Sequence, residues 1–435
     1  PRVAGGKRTA ATARRPPQRP GPAWARGERN ADPPEPGRKK GTGRFAYRAT
    51  PTTEQVTDTK TARLEGCPAC GGPVQDRAPQ EQFQIEIPPI QPTVTRFVTE
   101  RGYCPACAAP VQSVHPAQIS TATGAAGVVL GPRLKAFAAD LHHRLGVSYG
   151  KIASLWRELF GLPITRGGLA QADAHLARTA RPIYEHLVAL LRQSAVVHVD
   201  ETGWRIGSLA AWLWVFANAE ITVYEIATSR GHEVVLKILG REFAGILVAD
   251  SFRAYDAEAL ADWLQQKCVA HLLRNLAELL ERKQGRARQF AQDVMGLLRE
   301  ALALKAGAPD LRAPEYEAAA AGLEARLDRL LDPKRRLSDA DNARLAERLR
   351  KHRPDILRFL YWAELDATNN LAERELRPAV VTRKTGGCNR TETGAQTHVI
   401  LASVLATCHR QAVSILDYLV KLQQFGSTPP ALAAG

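Results

Sequence analysis

Two short apolar segments that each end in an aspartate restrict the fold of this chain more than any other feature. "AVVHVD" ends at Asp200 and "GILVAD" ends at Asp250. Nearly continuous apolar strands are typical of the middle of a sheet that is covered on both faces. If the two strands are parallel neighbours, about 4.8 Å apart, their terminal carboxylates meet at one edge of the sheet. A loop-capping aspartate is the alternative for either one alone, whereas the matched pair favours a shared site.

The residues around these two segments, 195–275, continue the pattern of an α/β domain. The apolar runs "AAWLWVFAN", "ITVYEIAT" and "KCVAH" predict further strands, and "GHEVVLKILG" predicts a helix between them. Helical periodicity follows over residues 276–362, and the apolar stretch "HVILASVLATCHRQAVSILDYLVKL" is suited to packing on the sheet. The leucines that define the periodicity are Leu323, Leu327, Leu330 and Leu331.

The charge of the chain predicts a polyanionic partner. The formal net charge is +15 and the isoelectric point is near 9.7. A basic surface gains binding free energy by releasing the counterions of nucleic acid, so DNA is the expected partner and an anionic membrane surface is second. No apolar run reaches the roughly 18 residues of a membrane span. The first residues also lack the apolar core of a signal peptide, so we expect a cytoplasmic protein.

Residues 1–193 contain regions of different composition. Residues 1–60 are rich in Pro, Gly and Arg and predict a disordered basic tail, which is either a linker or a DNA contact. Residues 118–193 are dominated by helical patterns, in which Ser148 and Thr165 are expected to cap two helices separated by a Gly-Leu-Pro turn. This order is helix-turn-helix-like, although any unit of three packed helices would give a similar pattern.

Two C-x-x-C pairs, Cys67/Cys70 and Cys104/Cys107, lie between these regions. They frame the alternating stretch "FQIEIPPIQPTVTRFVTERGY", which predicts a hairpin. Four thiolates in two such pairs are typical of tetrahedral structural zinc. Disulfides conflict with a reducing cytoplasm, and a redox role conflicts with both pairs sharing the form C-P-A-C. We therefore expect a zinc-binding module over residues 61–117 whose folding depends on the metal.

The polar stretch "DATNNLAERELRP" offers a third carboxylate for a two-metal site. On a helix, Glu373 points away from Glu375 and shares a face with residues one turn before and after it. Those neighbours are Asn369, Asn370 and Arg377. The alternative is a capping box with Asn370 as the N-cap. A basic run beside a Gly-Gly turn follows and suits DNA phosphates. Its residues are Arg377, Arg383, Lys384 and Arg390.

Cys268 and His271 form a separate C-x-x-H pattern. We interpret it as a buried cysteine at the end of a strand, followed by a histidine that caps a helix. Zinc binding at this position would require two further ligands that the sequence does not identify.

Four motifs together resemble the insertion-sequence-66 family of bacterial transposases. In chain order they are "HVDETGWR", "LVADSFRAYD", "CVAHLLRNL" and "NNLAERELRP", and the resemblance extends from the cysteine pairs to about residue 422. It implies a ribonuclease H-like catalytic domain with an Asp-Asp-Glu triad that falls on Asp200, Asp250 and Glu373. It also implies two magnesium or manganese ions, cleavage at transposon ends, and attack of the freed 3′-hydroxyl on target DNA. Asn369 and Asn370 would orient Glu373 or contact the scissile strand.

The expected organisation is a multidomain protein: a ribonuclease H-like α/β catalytic domain with an α-helical insertion, preceded by a zinc-ribbon-like module and a helix-turn-helix-like region. The expected parts are a tail (1–60), a zinc module (61–117), a helical region (118–193), the first catalytic part (194–281), the insertion (282–362), the last catalytic part (363–425) and a tail (426–435).

The resemblance also sets expectations for partners. These are transposon-end and target DNA, a homo-oligomer that is at least a dimer on DNA, accessory proteins of the same element, and a nucleoid-associated location in a bacterial cytoplasm. The N-terminus lacks a leucine-zipper-like helix and the segment after "NNLAERELRP" lacks an aromatic stretch, so specificity for particular DNA ends does not carry over. A catalytically silent zinc-ribbon regulator and a ribonuclease H-like nuclease are the alternative functions.

Overall fold

A computed structural model of the chain describes residues 49–308 and 310–425. The predicted tails therefore lie outside the described residues, except for residues 49–60, which contain a single 3-10 turn at Thr53–Gln55. The chain divides into two units after Pro88. Within the described part of the first unit, the Cys67 N–H donates to the carbonyl of Gly72 at 2.9 Å, which closes a tight turn around the first cysteine pair.

In the second unit, a small hairpin surrounds the second cysteine pair. Its antiparallel strands are β1 (Arg101–Cys104) and β2 (Ala109–Gln112). The hairpin predicted between the two cysteine pairs is wrong, because residues 83–100 contain no strand. That stretch includes three prolines, which cannot donate the hydrogen bonds that a paired strand needs.

A mixed five-stranded sheet forms the centre of the second unit. Its strands are β3 (Val196–Ile206), β4 (Leu209–Ala217), β5 (Thr222–Ala227), β6 (Ile246–Ala249) and β7 (Leu264–Lys267). Their order across the sheet is β5-β4-β3-β6-β7. β3, β4 and β5 pair antiparallel, and β6 and β7 extend the sheet parallel to β3.

Two details of the predicted strands are wrong. β3 does not end at Asp200 but continues to Ile206, because its second half pairs with β4. "KCVAH" is not a strand, since the helix that follows β7 begins at Val269. β7 itself reads Leu-Gln-Gln-Lys, and the buried amides of Gln265 and Gln266 bond to backbone carbonyls of other segments. Its polar composition conceals it from a search for apolar runs.

Helices cover both faces of the sheet. On one face, Val197, Val199 and Leu247 belong to a core shared with the helices that precede β3 and with the C-terminal helices. On the other face, Ile246 and Val248 pack with the helices that follow β7. The helices are α1 (Pro132–Ala139), α2 (Tyr149–Phe160), α3 (Arg166–Arg192), α4 (His232–Leu239), α5 (Val269–Arg282), α6 (Gln289–Gly307), α7 (Pro314–Leu331), α8 (Ala340–Lys351), α9 (Asn370–Thr385), α10 (Glu392–Arg410) and α11 (Ile415–Phe425).

Several helix boundaries follow the capping residues that the sequence contains. The Ser148 hydroxyl accepts from the Lys151 N–H and precedes α2, and the Thr165 hydroxyl accepts from the Gly168 N–H at 3.0 Å and precedes α3. α2 ends at Gly161, whose φ of 63° suits a glycine C-cap. The prediction of two capped helices around this turn is confirmed.

The predicted packing of the C-terminal helices on the sheet is also confirmed. α10 lies against β5, where the Tyr224 N–H donates to the Ser403 hydroxyl at 2.9 Å. Within the described residues, no helix combines the length and the apolar composition needed to cross a bilayer.

Candidate active site

Asp200 lies on β3, and Asp250 directly follows Ala249, the last residue of β6. The two strands are parallel neighbours whose register pairs His198 with Val248, and each aspartate comes two residues after its member of that pair. The charge of Asp250 acts on the pKa of Asp200, so the two carboxylates are near each other. Both side chains are half-buried. The sequence prediction that these strands are parallel neighbours is confirmed.

The electrostatics of Asp200 agree with a crowded group of carboxylates. Burial, followed by the negative charges of Glu201, Asp250 and Glu373, raises the pKa of Asp200 to about 7. A hydrogen bond of 2.8 Å from the Glu201 N–H opposes this rise only in part. Among the described residues, no cationic side chain lies within ion-pair distance of Asp200 or Asp250. The site therefore lacks a compensating positive charge.

Glu201 follows Asp200 directly but takes a different role. Its carboxylate accepts from the Tyr255 hydroxyl at 2.6 Å and pairs with Arg230 at 2.8 Å. Successive side chains on a strand point to opposite faces, so Glu201 points away from Asp200 across the sheet. Burial, followed by the charge of Asp250, raises the pKa of Glu201, so this acid still belongs to the same group of carboxylates.

Glu373 lies in the first turn of α9, which packs against β3. Its Oε1 atom is buried and has no hydrogen-bond partner. Nδ1 of His271 lies 3.6 Å from this oxygen. A buried carboxylate oxygen without a donor is costly unless a proton or a cation satisfies it. The atom is thus available to a ligand that the protein itself does not supply.

The start of α9 is fixed by Asn369, which is 1% exposed. Its side-chain nitrogen donates to the carbonyl of Val199 at 2.7 Å, and its side-chain oxygen accepts from Nδ1 of His198 at 3.2 Å. The capping box is not formed, because the N-cap is Asn369 and its side chain makes no capping bond. Of the two roles that the sequence suggests for Asn369, this geometry favours orienting Glu373 over contacting DNA.

A comparison with known families covers the segment that contains these acids. Residues 127–397, more than half of the chain, match the sequence profile described as "Transposase IS66 family". The chain belongs to the IS66 transposase family. The resemblance stated from the four motifs is confirmed.

One curated relative of this IS66-family chain is an uncharacterised protein, y4qI, of Sinorhizobium fredii. The two are 26% identical over 295 residues, which is 60% of this chain and 53% of the relative. The chain therefore spans about half the length of the curated relative that it matches.

The remaining predicted residues of the IS66-family chain have different surroundings. Arg383 is bound to β3, where its guanidinium donates to the Thr202 hydroxyl at 3.1 Å and to the carbonyl of Gly203. The other predicted DNA contacts are exposed: Asn370, Arg377, Lys384 and Arg390. Glu375 points away from Glu373, as predicted, and pairs with Arg410. Arg383 thus anchors the segment whose exposed cations can reach a ligand.

Sequence reasoning missed how Cys268 and His271 relate to the third acid. Sγ of Cys268, a ring nitrogen of His271 and a carboxylate oxygen of Glu373 lie within 4.8 Å of one another, close enough to hold one metal ion. Cys268 is buried, as predicted, but the helix-capping role of His271 is wrong, because its Nδ1 is buried without a hydrogen-bond partner. The spacing C-x-x-H indicates a common helix face, but it carries no information about the distant Glu373.

In each of the two C-x-x-C pairs, backbone N–H groups donate to the sulfur of the first cysteine. N–H groups of Ala69 and Cys70 lower the pKa of Cys67, and those of Cys107 and Ala106 lower the pKa of Cys104. A lowered pKa favours the thiolate, which is the form that binds zinc.

Proposed function

We propose that this chain is a DNA transposase that cleaves transposon ends and joins their 3′-hydroxyls to target DNA, with Asp200, Asp250 and Glu373 as its catalytic carboxylates. The observation that carries the proposal is that Asp200 on β3 and Asp250 at the end of the adjacent parallel strand β6 lie near each other and near Glu373, whose buried Oε1 has no hydrogen-bond donor. The sheet, with three antiparallel strands extended by two parallel ones, supports a ribonuclease H-like catalytic domain.

The donor set fits divalent magnesium or manganese. Carboxylate oxygens are the ligands that these hard cations prefer. Glu373 has a buried oxygen without a donor, and Asp200 lies in the negative field of Asp250 and Glu373. Bound by these three acids, two metal ions would lower the pKa of the attacking hydroxyl and stabilise the leaving oxygen of the phosphodiester.

The protein contributes position and charge to this reaction. Asn369 holds the first turn of α9 on β3, which sets the distance of Glu373 from the two aspartates. The exposed cations Arg377, Lys384 and Arg390 follow along α9 and the loop after it, where they can neutralise DNA phosphates. No protein nucleophile is needed, because water and the 3′-hydroxyl are the attacking groups.

The test is cleavage of a labelled duplex made from the DNA that flanks this gene. The wild-type protein and Asp250→Asn are compared with and without magnesium, and gel-shift binding is measured in parallel. We expect 3′-end nicking only for the wild type with magnesium, and equal or tighter DNA binding by Asp250→Asn, which has lost a negative charge. If Asp250→Asn still cleaves, the assignment of the three acids is wrong.

Two further outcomes separate the alternative functions. Binding without nicking, even with the other proteins of the same element present, would favour the catalytically silent regulator. Nicking without joining of the 3′-end to a supercoiled plasmid would favour a nuclease.

A further inference from the structure

A cavity of about 820 Å³ lies between the N-terminal ends of α2 and α3 and the segment 385–394. Its volume falls in the range of pockets that hold small ligands or cofactors, which is about 300–1,000 Å³. Its lining includes three cationic side chains, from Lys151, Arg166 and Arg390, and no aspartate or glutamate. The cavity is therefore suited to an anion.

The three cations have no acidic partner among the described residues. Some arginines of the protein are paired with acids, as Arg144 is with Asp140 and Arg410 is with Glu375. Lys151, Arg166 and Arg390 instead form no ion pair and lie together at the wall of one cavity. Like charges placed together without counter-charges repel one another, and a bound anion removes that repulsion.

The backbone around the cavity adds donors to these cations. α2, α3 and α10 begin at its wall, at Tyr149, Arg166 and Glu392. Each capping hydroxyl satisfies one N–H group of its first turn, and the remaining first-turn N–H groups have no partner within the helix. Phosphate oxygens are well suited to such donors.

An aromatic wall distinguishes this cavity from a site for a simple anion. The rings of His142 and Tyr149 stack with centroids 3.8 Å apart, and both residues line the cavity. The Tyr149 hydroxyl donates to the buried Asp173 at 2.7 Å, which fixes the orientation of the ring. Aromatic side chains beside a cationic groove are the usual means of binding single-stranded nucleic acid, because a base stacks while its phosphate is neutralised.

The cavity is connected to the proposed catalytic acids through Asn389. The Asn389 side-chain oxygen accepts from Nε1 of Trp204 at 2.9 Å, and its carbonyl accepts from the Gly207 N–H at 2.9 Å. Trp204 lies four residues beyond Asp200 on β3, a path of about 13 Å at the usual rise of a strand. A nucleic acid strand in the cavity therefore lies within a few nucleotides of the carboxylates.

We propose that this cavity binds one strand of DNA next to the scissile phosphate, through its phosphates at Lys151, Arg166 and Arg390 and through a base at the His142–Tyr149 wall. The inference rests on the proposed function, because it assumes that Asp200 and its partners act on DNA. The aromatic wall favours an unpaired strand, whose bases are free to stack, as at a frayed or already cleaved end.

The experiment measures the binding of a fluorescent single-stranded oligonucleotide of mixed sequence to the full chain, with calcium in place of magnesium to prevent cleavage. The variants are Lys151→Glu, Arg166→Glu and Arg390→Glu. The matched control is Arg178→Glu, which makes the same charge change on an exposed face of α3 three turns beyond Arg166. Thermal unfolding checks that each variant is folded, and Lys151→Gln provides a milder change.

We expect each cavity variant to weaken binding about 10-fold or more and to reduce the salt dependence of log Kd by about one unit for each phosphate that the variant no longer neutralises. We expect the control to change the affinity by less than about 2-fold at the same salt concentration. Single-stranded DNA should lose more affinity than the same sequence as a duplex. Equal weakening by the control and the cavity variants would overturn the proposal, because binding would then depend only on total charge.

Competition with inorganic phosphate distinguishes a free anion from a DNA strand. If the cavity variants lose phosphate binding but retain wild-type affinity for the oligonucleotide, the cavity is a free-anion site and the proposal is wrong. The result is independent of catalysis: if the wild type never cleaves but the cavity variants still lose single-strand binding, the proposed transposase reaction fails while the cavity assignment stands.

Discussion

The side-chain amide of Asn369 donates a 2.7 Å hydrogen bond to the carbonyl of Val199, the residue that precedes Asp200. The backbone N–H of Asn369 also lies 3.2 Å from Sγ of Cys268, at the start of α5. One buried residue therefore ties α9 to β3 and to α5. The position of Glu373 one turn later depends on this tie, because α9 begins without a side-chain cap.

Replacing Asn369 with Ala is expected to affect both stability and cleavage. The change leaves the Val199 carbonyl and the His198 ring without their buried partner, which costs about 1–3 kcal/mol of unfolding free energy. It also frees the first turn of α9, so cleavage should fall even at temperatures where the variant remains folded. Urea unfolding and the duplex cleavage assay measure the two effects. Gln193→Ala, which removes an exposed side-chain amide at the end of α3, is the control, and equal effects of the two changes would refute the role of Asn369.

Glu373 and Glu375 offer a matched pair of substitutions on one helix. Glu373→Gln keeps the shape of the side chain but removes its charge, so we expect loss of magnesium-dependent cleavage with DNA binding retained. Glu375→Gln removes the partner of Arg410, and we expect a loss of stability on the order of 1 kcal/mol with cleavage retained. Cleavage by Glu373→Gln at the wild-type rate would exclude it as a metal ligand.

Magnesium is expected to raise the unfolding temperature of the metal-free protein. A cation that binds only the folded state stabilises it, and here it would also neutralise carboxylates that repel one another around Asp200. Asp200→Asn removes one proposed magnesium ligand and part of the repulsion between the carboxylates. This variant should therefore melt at a higher temperature than the wild type without magnesium and respond less to its addition. An equal magnesium response in both proteins would place the bound ion elsewhere.

The sequence predicted that Asp200 and Asp250 are neighbours, but it did not predict which residues hold the site in place. Asp200 and Asp250 could be paired from two apolar runs, because strands buried on both faces have a strong compositional signature. β7 could not be found, since its glutamines are buried through hydrogen bonds rather than apolar contacts. The role of Asn369 was equally hidden, because its partners lie about 170 residues earlier in the chain.

The cavity beside α2 and α3 also could not be predicted from the sequence. The sequence indicated Arg390 as a phosphate contact, but it gave no reason to join it with Lys151 and Arg166, which lie in a separate helical region. Local capping signals fix the ends of helices. Only tertiary packing decides which helix ends face the same space.

Asp173, on α3, gives a pH dependence of stability that can be measured. It is fully buried, and burial raises its pKa from an ordinary 3.8 to about 7, although the Tyr149 hydroxyl donates to it. Between these two values the folded protein keeps a proton that the unfolded chain has lost. The unfolding free energy therefore decreases as pH rises through this window, by at most about 1.4 kcal/mol per pH unit.

Asp173→Asn removes this titration, so its stability relative to the wild type should rise from pH 4 to pH 7 and then level off. Urea unfolding at several pH values measures the difference, which cancels the contributions of groups remote from Asp173 but includes that of His143, whose Nε2 lies 3.0 Å from the Asp173 carboxylate. Asp262→Asn makes the same change at an exposed position and provides the control. The same pH profile for the two variants would mean that burial of Asp173 does not shift its pKa.

Zinc binding by the two C-x-x-C pairs remains a prediction, and metal content tests it directly. Backbone donors lower the pKa values of Cys67 and Cys104, so both thiols are suited to metal ligation. We expect the purified full chain to contain zinc, to lose it to a chelator, and to contain less zinc as Cys67→Ser or Cys104→Ser. Cys388→Ser, a half-buried cysteine outside both pairs, should retain the wild-type content, as measured by atomic absorption. Unchanged zinc in both pair variants would show that the pairs are not the ligands, and the fold of residues 61–117 would then have to be stable without metal.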